Sequence, residues 1–481
     1  MFFQLYTARF HVIIKQKVFE EERGNDMNKI INILLCASIL LGTSACGKNT
    51  ADDTELTVVS YWMSNGHDKV FLTEETEKWN DTVGKEKGIR IDYSVRTYDE
   101  IVNAVMRGEG PDIFGASLYD FMPSDKLVAL EDINGGAEIL ERFKPYIDES
   151  RHKYNGKTYT IPVSTTTYGL IYNKEMFKAA GIVDENGEAK PPETFSEFIE
   201  DAKLLTNPKK GEYGFIFPGQ FESLYNDDVL KFASASCGFM DGYNPADGKY
   251  DYSAVIEVMK GLLTIKQNGS CYPGSEKLDN DEARARFGEG KIGMKTAGAY
   301  DYGVLKYQFP AKADWGVAPF PVLDGWEPGW QYMGNEGTVL ISNKGVKRLG
   351  TDKLMTVYNW IIGEKLAIKE YKAGLSIPME RDLIKGVTLD DGMEQWQSFV
   401  DISEISKPCP MAHKVETTEV LPLRTLWASD ILTGKIKMSV LEKEIMKMQD
   451  WENNIGMAEY EKQHPEYNPL AAIVPGRSCK R

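Results

Sequence analysis

Two sets of side chains in this chain have the types to do chemistry: its carboxylates and its aromatic rings. A pair of Asp or Glu side chains facing each other across a cleft can act as acid and base on a glycosidic bond. The chain holds 72 Asp and Glu against 56 Lys and Arg, but nothing in their order marks such a pair. There is no GxSxG, HExxH or P-loop sequence, and no GxGxxG followed by an acid at dinucleotide-binding spacing. His67, His152, His413 and His464 are scattered, and Cys237, Cys271, Cys409 and Cys479 show no CxxC or Cys/His metal spacing. Cys237 and Cys271, the pair nearest in sequence, are open either to a disulfide or to two buried thiols. The expectation is a protein that is not an enzyme, with no catalytic residue, metal or cofactor, and whose acids form a solvated surface.

The aromatic residues say more. Trp62, Tyr119, Phe121, Tyr168, Phe221, Tyr225, Tyr300, Trp326, Trp330 and Tyr332 stand near Gly, Asn, Ser or Asp in expected turns. A ring face beside polar groups suits a sugar, whose apolar C–H faces are edged with hydroxyls. Ser164, Thr165, Thr166, Thr167 and Tyr168 add a run of hydroxyls between two apolar steps, in the stretch IPVSTTTYGLIYNKEMF. The run is β-branched, so it reads as extended chain and not as a loop. Alternation along a strand lets only some of these hydroxyls face a ligand, and Thr166 and Tyr168 are the chosen ones.

The elements that must hold these residues follow an α/β order. LTVVSYW and IRIDYSV read as strands, VFLTEETEKWNDTV and DEIVNAVMRG as helices, and PDIFGAS as a short buried strand. Strand and helix in alternation build a parallel sheet, at whose strand ends open α/β folds bind ligands. After the hydroxyl run come a strand GLIYN, a helix KEMFKAAGI and a second helix capped by Thr194, with Glu197 three residues on. YSAVIEVMKGLLTIKQNG is a long amphipathic helix, WGVAPFPVL and TVLIS read as strands, and LMTVYNWIIGEKLAIKEYKAG reads as one helix. Net charge is −16, which weighs against the basic footprint of a nucleic-acid binder.

The N-terminus carries a processing pattern. From Met27 a lysine, an apolar run from Ile30 to Leu41 and small residues up to Cys46 form a secretory signal, too short to span a membrane comfortably. Its end, Thr43-Ser44-Ala45-Cys46, resembles a bacterial lipoprotein signal, which implies that Cys46 becomes the lipidated N-terminus. Residues 1–26 read as an over-extended start, 27–46 as signal and 47–55 as a polar tether.

Four segments together resemble the extracellular solute-binding proteins of ABC importers, in the sugar-binding group that includes maltose-binding proteins. YNGKTYTIPVSTTTYGLIYNKEMFKAAGI matches Y-x-GK-x-Y-x-IP followed by LxYNKxxFxxAGI. KPPETFSEFIEDAKLLT matches PPxTWxEFxxxAKxLT, with Phe195 for the usual Trp. FGEGKIGMKTAGAYDYG matches FxxGKxAMxxxGxW, with Gly293 for Ala and Tyr300 for Trp, and KADWGVAPFPVLDG matches the DxGVxPxP segment.

The resemblance implies an α/β, periplasmic-binding-protein-like fold of type II, with two lobes, a multi-crossover hinge and a ligand cleft between them. The N-terminal lobe is expected at 56–163 and 316–363, and the C-terminal lobe at 164–315 and 364–481. Crossings fall near Pro162–Thr167, Ala311–Val317 and Glu364. The resemblance further implies a monomer, lipid-anchored on the extracytoplasmic face of the cell membrane, that hands a carbohydrate to permease subunits. An exported hydrolase and a ligand sensor are the alternatives. By position, ligand contacts are expected at Asn65, His67, Asp68, Tyr119, Thr166, Tyr168, Gln220, Phe221, Tyr300 and Arg424. Trp330, Asn335 and Glu336 join them on the chemistry of WQYMGNEG.

Overall fold

Strand and helix alternate from the first described residues, as the sequence predicts. The computed structural model describes residues 56–64, 69–122, 124–219, 228–237, 242–244, 249–408, 434 and 436–463. β1 (Thr57–Met63), α1 (Lys69–Trp79), β2 (Ile89–Val95), α2 (Tyr98–Arg107), β3 (Ile113–Phe114) and α3 (Gly136–Phe143) come first. β4 (Pro162–Asn173), α4 (Lys174–Ala180), α5 (Phe195–Leu204), β5 (Tyr213–Ile216) and α6 (Leu230–Cys237) follow. Next are α7 (Ser253–Gln267), α8 (Asn280–Gly288), β6 (Ile292–Gly298), β7 (Trp315–Ala318), β8 (Gln331–Thr338) and β9 (Leu340–Ile341). The chain continues with α9 (Asn343–Leu349), α10 (Thr351–Ile361), α11 (Glu364–Lys372), β10 (Ile377–Pro378), α12 (Glu394–Glu404), β11 (Ser406–Pro408) and α13 (Met438–Trp451).

Local chemistry sets the helix ends. Thr97 and Glu100 form a reciprocal capping box at α2, and Thr194 and Glu197 form the expected one at α5. Asn173 closes β4 and opens α4 by accepting a hydrogen bond from the Met176 N–H. Gly181 ends α4 at a φ of 77°, a conformation that would strain any side chain with a Cβ.

Two sheets carry two lobes. The first has the order β9-β3-β1-β2, with β1 parallel to both β2 and β3 and β9 antiparallel to β3. Val59, Ile91, Ile113, Ile161, Leu354 and Tyr358 pack in its core. The second has the order β11-β8-β4-β6-β5, with β7 and β10 also on β4. Leu170 faces a core with Phe198, Phe215 and Phe232, while Ile171 faces Ile292, Trp396 and Phe399. A strand buried on both faces reads as a continuous apolar run, which is what GLIYN is.

β4 is a single continuous strand that runs from one core to the other. Ile161 just before it packs in the first core, while Leu170 and Tyr172 pack in the second, so the hydroxyl run lies between the two cores. β8 lies against it antiparallel, with Thr338 opposite Pro162 and Gly334 opposite Thr166. β10 pairs at Ser164 and Thr165. Three strands therefore lie side by side where the chain passes between lobes.

The return path differs from the sequence reading. Trp315–Ala318 pairs with Leu170–Asn173, and Ala318, Phe320 and Leu323 sit in the second core, so the chain rejoins the first sheet from β8 to β9 and not near Ala311–Val317. The expected strand Trp315–Leu323 ends at Ala318 because Pro319 and Pro321 cannot donate to a ladder. The expected single helix after Leu354 breaks at Gly363, where a Cβ would lie 2.9 Å from the Asn359 carbonyl oxygen and 3.0 Å from that of Trp360. Cys271 is a buried free thiol that donates to the Tyr272 carbonyl oxygen at 3.7 Å. That removes the disulfide alternative for it.

Candidate functional site

The middle of β4 separates scaffold hydroxyls from the others by simple alternation. Thr165 Oγ1 donates to the Gly334 carbonyl oxygen at 2.5 Å, and Thr167 Oγ1 donates to that of Phe399 at 2.7 Å. These two tie β4 to β8 and α12. Thr166 and Tyr168 point to the other face. Thr166 is buried opposite Gly334 of β8.

Tyr168 is the centre of a ring cluster. Tyr300, just past the end of β6, meets it edge-on with centroids 6.0 Å apart, and Tyr332 of β8 lies 5.1 Å away, tilted by 42°. Edge and tilted contacts of this kind let the ring quadrupoles attract. Tyr168 is almost wholly enclosed, whereas Tyr300 and Tyr332 remain half-buried and keep ring surface available. Gly298 is required here, since a Cβ on it would come within 2.7 Å of the Tyr300 ring.

Charged side chains surround the rings. Lys231 of α6 sets its ammonium 3.5 Å from the Tyr168 ring centroid and 5.7 Å from that of Tyr332, a cation–π arrangement in a buried setting. Asp228 accepts from Thr296 Oγ1 at 2.6 Å, and Lys295 donates to the Thr296 carbonyl oxygen at 2.7 Å and to Asn280 at 3.2 Å. Asp301 accepts from Arg284 Nε at 2.5 Å and from the Gly298 N–H at 2.9 Å. Burial alone would push the Arg284 pKa down, but the Asp301 charge and the hydrogen bond to Asp281 hold it above its ordinary value. Arg284 also lies over one face of Tyr300, at 5.5 Å from the centroid. The cavity these residues line is about 10 Å³, room for about one water. They form a packed floor and not a deep pit.

The structure brings together three of the expected positions and places two more on the paired strand. Thr166, Tyr168 and Tyr300 share the ring cluster or its strand face, and Asn335 and Glu336 lie on β8 opposite Thr165 and Ser164. Trp330 precedes β8, half-buried, with Lys407 Nζ 4.9 Å from its ring. Tyr119 stands apart from this cluster, exposed on a short 3-10 turn, Leu118–Phe121, after β3 in the first lobe. Cys46, Asn65, His67, Asp68, Gln220, Phe221 and Arg424 lie outside the described residues. Lys231, Asp228, Lys295, Arg284 and Asp301 were not foreseen. A single charged residue in the helix LKFASASC was the available signal.

The two lobes are also tied at the hinge. Arg142 of α3 donates through Nε to Glu380 at 3.0 Å, just after β10, and through Nη1 to the Ile362 carbonyl oxygen at 3.1 Å. Lys369 of α11 pairs with Glu75 of α1.

Comparison with known proteins agrees with this architecture. The GacH receptor of Streptomyces glaucescens, solved unliganded and with acarbose, superposes with a TM-score of 0.64 at 17% identity, covering 86% of this chain and 100% of that one. In sequence, the multiple sugar-binding protein of Streptococcus mutans is 24% identical over 297 residues, which are 57% of this chain and 67% of that protein. The maltotriose-binding protein of Pyrococcus abyssi is 27% identical over 231 residues, 47% of this chain and 45% of that one, so the match spans less than half of that relative. The family described as bacterial extracellular solute-binding protein matches residues 78–375, more than half of the chain. Together with the two-lobed α/β fold, that match settles the assignment: the chain belongs to the bacterial extracellular solute-binding proteins.

Proposed function

We propose that the protein captures a carbohydrate, an oligosaccharide by preference, between its two lobes and delivers it to the permease of an ABC importer. The observation that carries this reading is the ring cluster of Tyr168, Tyr300 and Tyr332, set beside Thr166 on the strand that joins the lobes. Half-buried aromatic faces next to charged and hydroxyl groups suit the mixed surface of a sugar. The relatives named for sugars and maltotriose point the same way. Closure needs no further device. A ligand that touches both lobes only when they are closed shifts the open–closed equilibrium by its differential affinity.

The protein acts as a binder and not as a hydrolase in this reading. Among the described residues, the two carboxylates that line the cavity beside the rings are already engaged, Asp301 by Arg284 and a backbone N–H, Asp228 by the Thr296 hydroxyl. That weighs against their serving as a free acid–base pair. Attachment at the extracytoplasmic face through Cys46, as a monomer, completes the proposal, and it rests on the lipoprotein-like signal. A thermal-shift screen of mono- and oligosaccharides tests the ligand class, since a ligand of the folded state raises the melting temperature. A rise with at least one oligosaccharide is expected. No rise with any sugar, together with a rise from amino acids or phosphate esters, would remove the carbohydrate assignment.

A further inference from the structure

The first lobe has a basic end, and it lies opposite the ligand side. β1 and β3 are parallel, with Ile113 opposite Tyr61 and Phe114 opposite Trp62, so Thr57 and the residues leading into Ile113 lie towards one end of the sheet and Met63 and Phe114 towards the other. A groove of about 400 Å³ opens beside the residues leading into Ile113, lined by Pro111, Lys126, Ser342, Lys344, Lys347 and Arg348 among others. Lys347 is exposed and pairs with no described residue, while Lys344 leans on the Gly110 carbonyl oxygen at 2.9 Å. Arg348 pairs with the buried Asp112 and donates to the Val58 carbonyl oxygen at 3.0 Å. Lys353 donates to Thr57 Oγ1 at 2.6 Å, and exposed Lys85 and Lys87 precede Gly88, whose carbonyl oxygen accepts from the Thr57 N–H. Exposed acids are fewer there: Glu86, Asp125, Asp352, and Glu109 in a pair with Arg107. In a chain of net charge −16, an end where cations outnumber acids runs against the whole.

We propose that this end of the lobe docks on an anionic lipid surface. Charge complementarity is the first reason: each lysine held near an anionic bilayer is attracted within about one Debye length, ~10 Å. The second is where the chain joins the lobe. Residues 1–55, which include the apolar run Ile30–Leu41 and Cys46, lead directly into Leu56, beside Lys353, Arg348 and Gly88. The nine residues Gly47–Glu55 can extend at most about 30 Å, so a membrane attachment at Cys46 would keep this end near the bilayer. Docked this way, the strand ends at Met63 and Phe114 face away from the lipid, and the cleft stays open to solute. The inference does not depend on which solute the cleft takes.

The test uses the unit Leu56–Arg481, a compact body by itself that lacks the apolar run and Cys46. Its flotation with equimolar phosphatidylglycerol–phosphatidylethanolamine vesicles is compared with flotation on phosphatidylcholine vesicles. Binding to the anionic vesicles alone is expected, weakening as salt is raised. Lys344→Gln with Lys347→Gln should lower the partition roughly 25-fold, from about fivefold per lysine, at unchanged melting temperature. Equal flotation on both vesicle types, no flotation on either, or an unaffected double variant would overturn the proposal. So would displacement by inorganic phosphate at constant ionic strength, which would make the groove a site for a free anion.

Discussion

His152 offers a sharp test of the packing of the first lobe. It is 1% exposed, at the end of the short helix Glu149–His152. The Asp148 N–H donates to its Nδ1 at 2.8 Å, so the neutral ring carries its proton on Nε2, which has no hydrogen-bond partner among the described residues. Burial, opposed by the charge of Asp148 and helped by that of Arg151, lowers its pKa from 6.5 to about 4. Between those values the unfolded chain binds a proton that the native ring refuses. The contribution to stability is therefore complete above pH 6.5 and is lost as pH falls towards 4. The gap corresponds to about 3 kcal/mol. His152→Gln removes the titration, and urea unfolding of both proteins from pH 7 to pH 4 isolates the effect as a difference in slope. The parent should lose about 3 kcal/mol more than the variant over that range. Superimposable pH profiles, or a His152 ring resonance titrating near its ordinary value, would refute the burial argument.

Other consequences are equally concrete. Burial, with Glu197 and Glu200 adding repulsion, raises the Asp201 carboxyl from 3.8 to about 6, so ionising it above that pH opposes folding. Asp201→Asn should raise the melting temperature at pH 7.5 and leave it unchanged at pH 4; a gain of equal size at both would remove the electrostatic cause. Tyr300→Ala should weaken ligand binding by about 1–3 kcal/mol if its open ring surface stacks on the ligand, and an unchanged Kd assigns the ring to the scaffold. Lys231→Met keeps the aliphatic stem but removes the ammonium over Tyr168, and should cost about 1.5–3 kcal/mol of affinity if that group also donates to ligand. Calorimetry on a variant with the parent's melting temperature decides it.

Much of the architecture was legible because local rules and tertiary structure agree. The cap at Thr194, the parallel start and the alternation through Thr165–Tyr168 all follow from residues within a few positions of each other. What escaped depended on distant partners. β8 reads QYMGNEGT, poor in strand formers, and is held extended only by pairing with β4 and β11. Trp315–Leu323 carries no mark of which core it joins, and its place is fixed by β4 and by Phe232 against Phe320. Lys231, the single charged residue of its helix, makes sense only once Tyr168 stands 3.5 Å from its ammonium. Tyr300 was legible from its motif, but its partner Tyr332 comes from a strand that the sequence hid.

The central claim is that a sugar binds between the lobes and is not consumed. Equilibrium titration of the unit Leu56–Arg481 with oligosaccharides that pass the thermal screen, following tryptophan fluorescence and assaying the sugar afterwards, tests it most directly. The account predicts saturation at one ligand per chain, with the sugar recovered intact. Failure of every sugar to saturate, or steady release of shortened products, would contradict it.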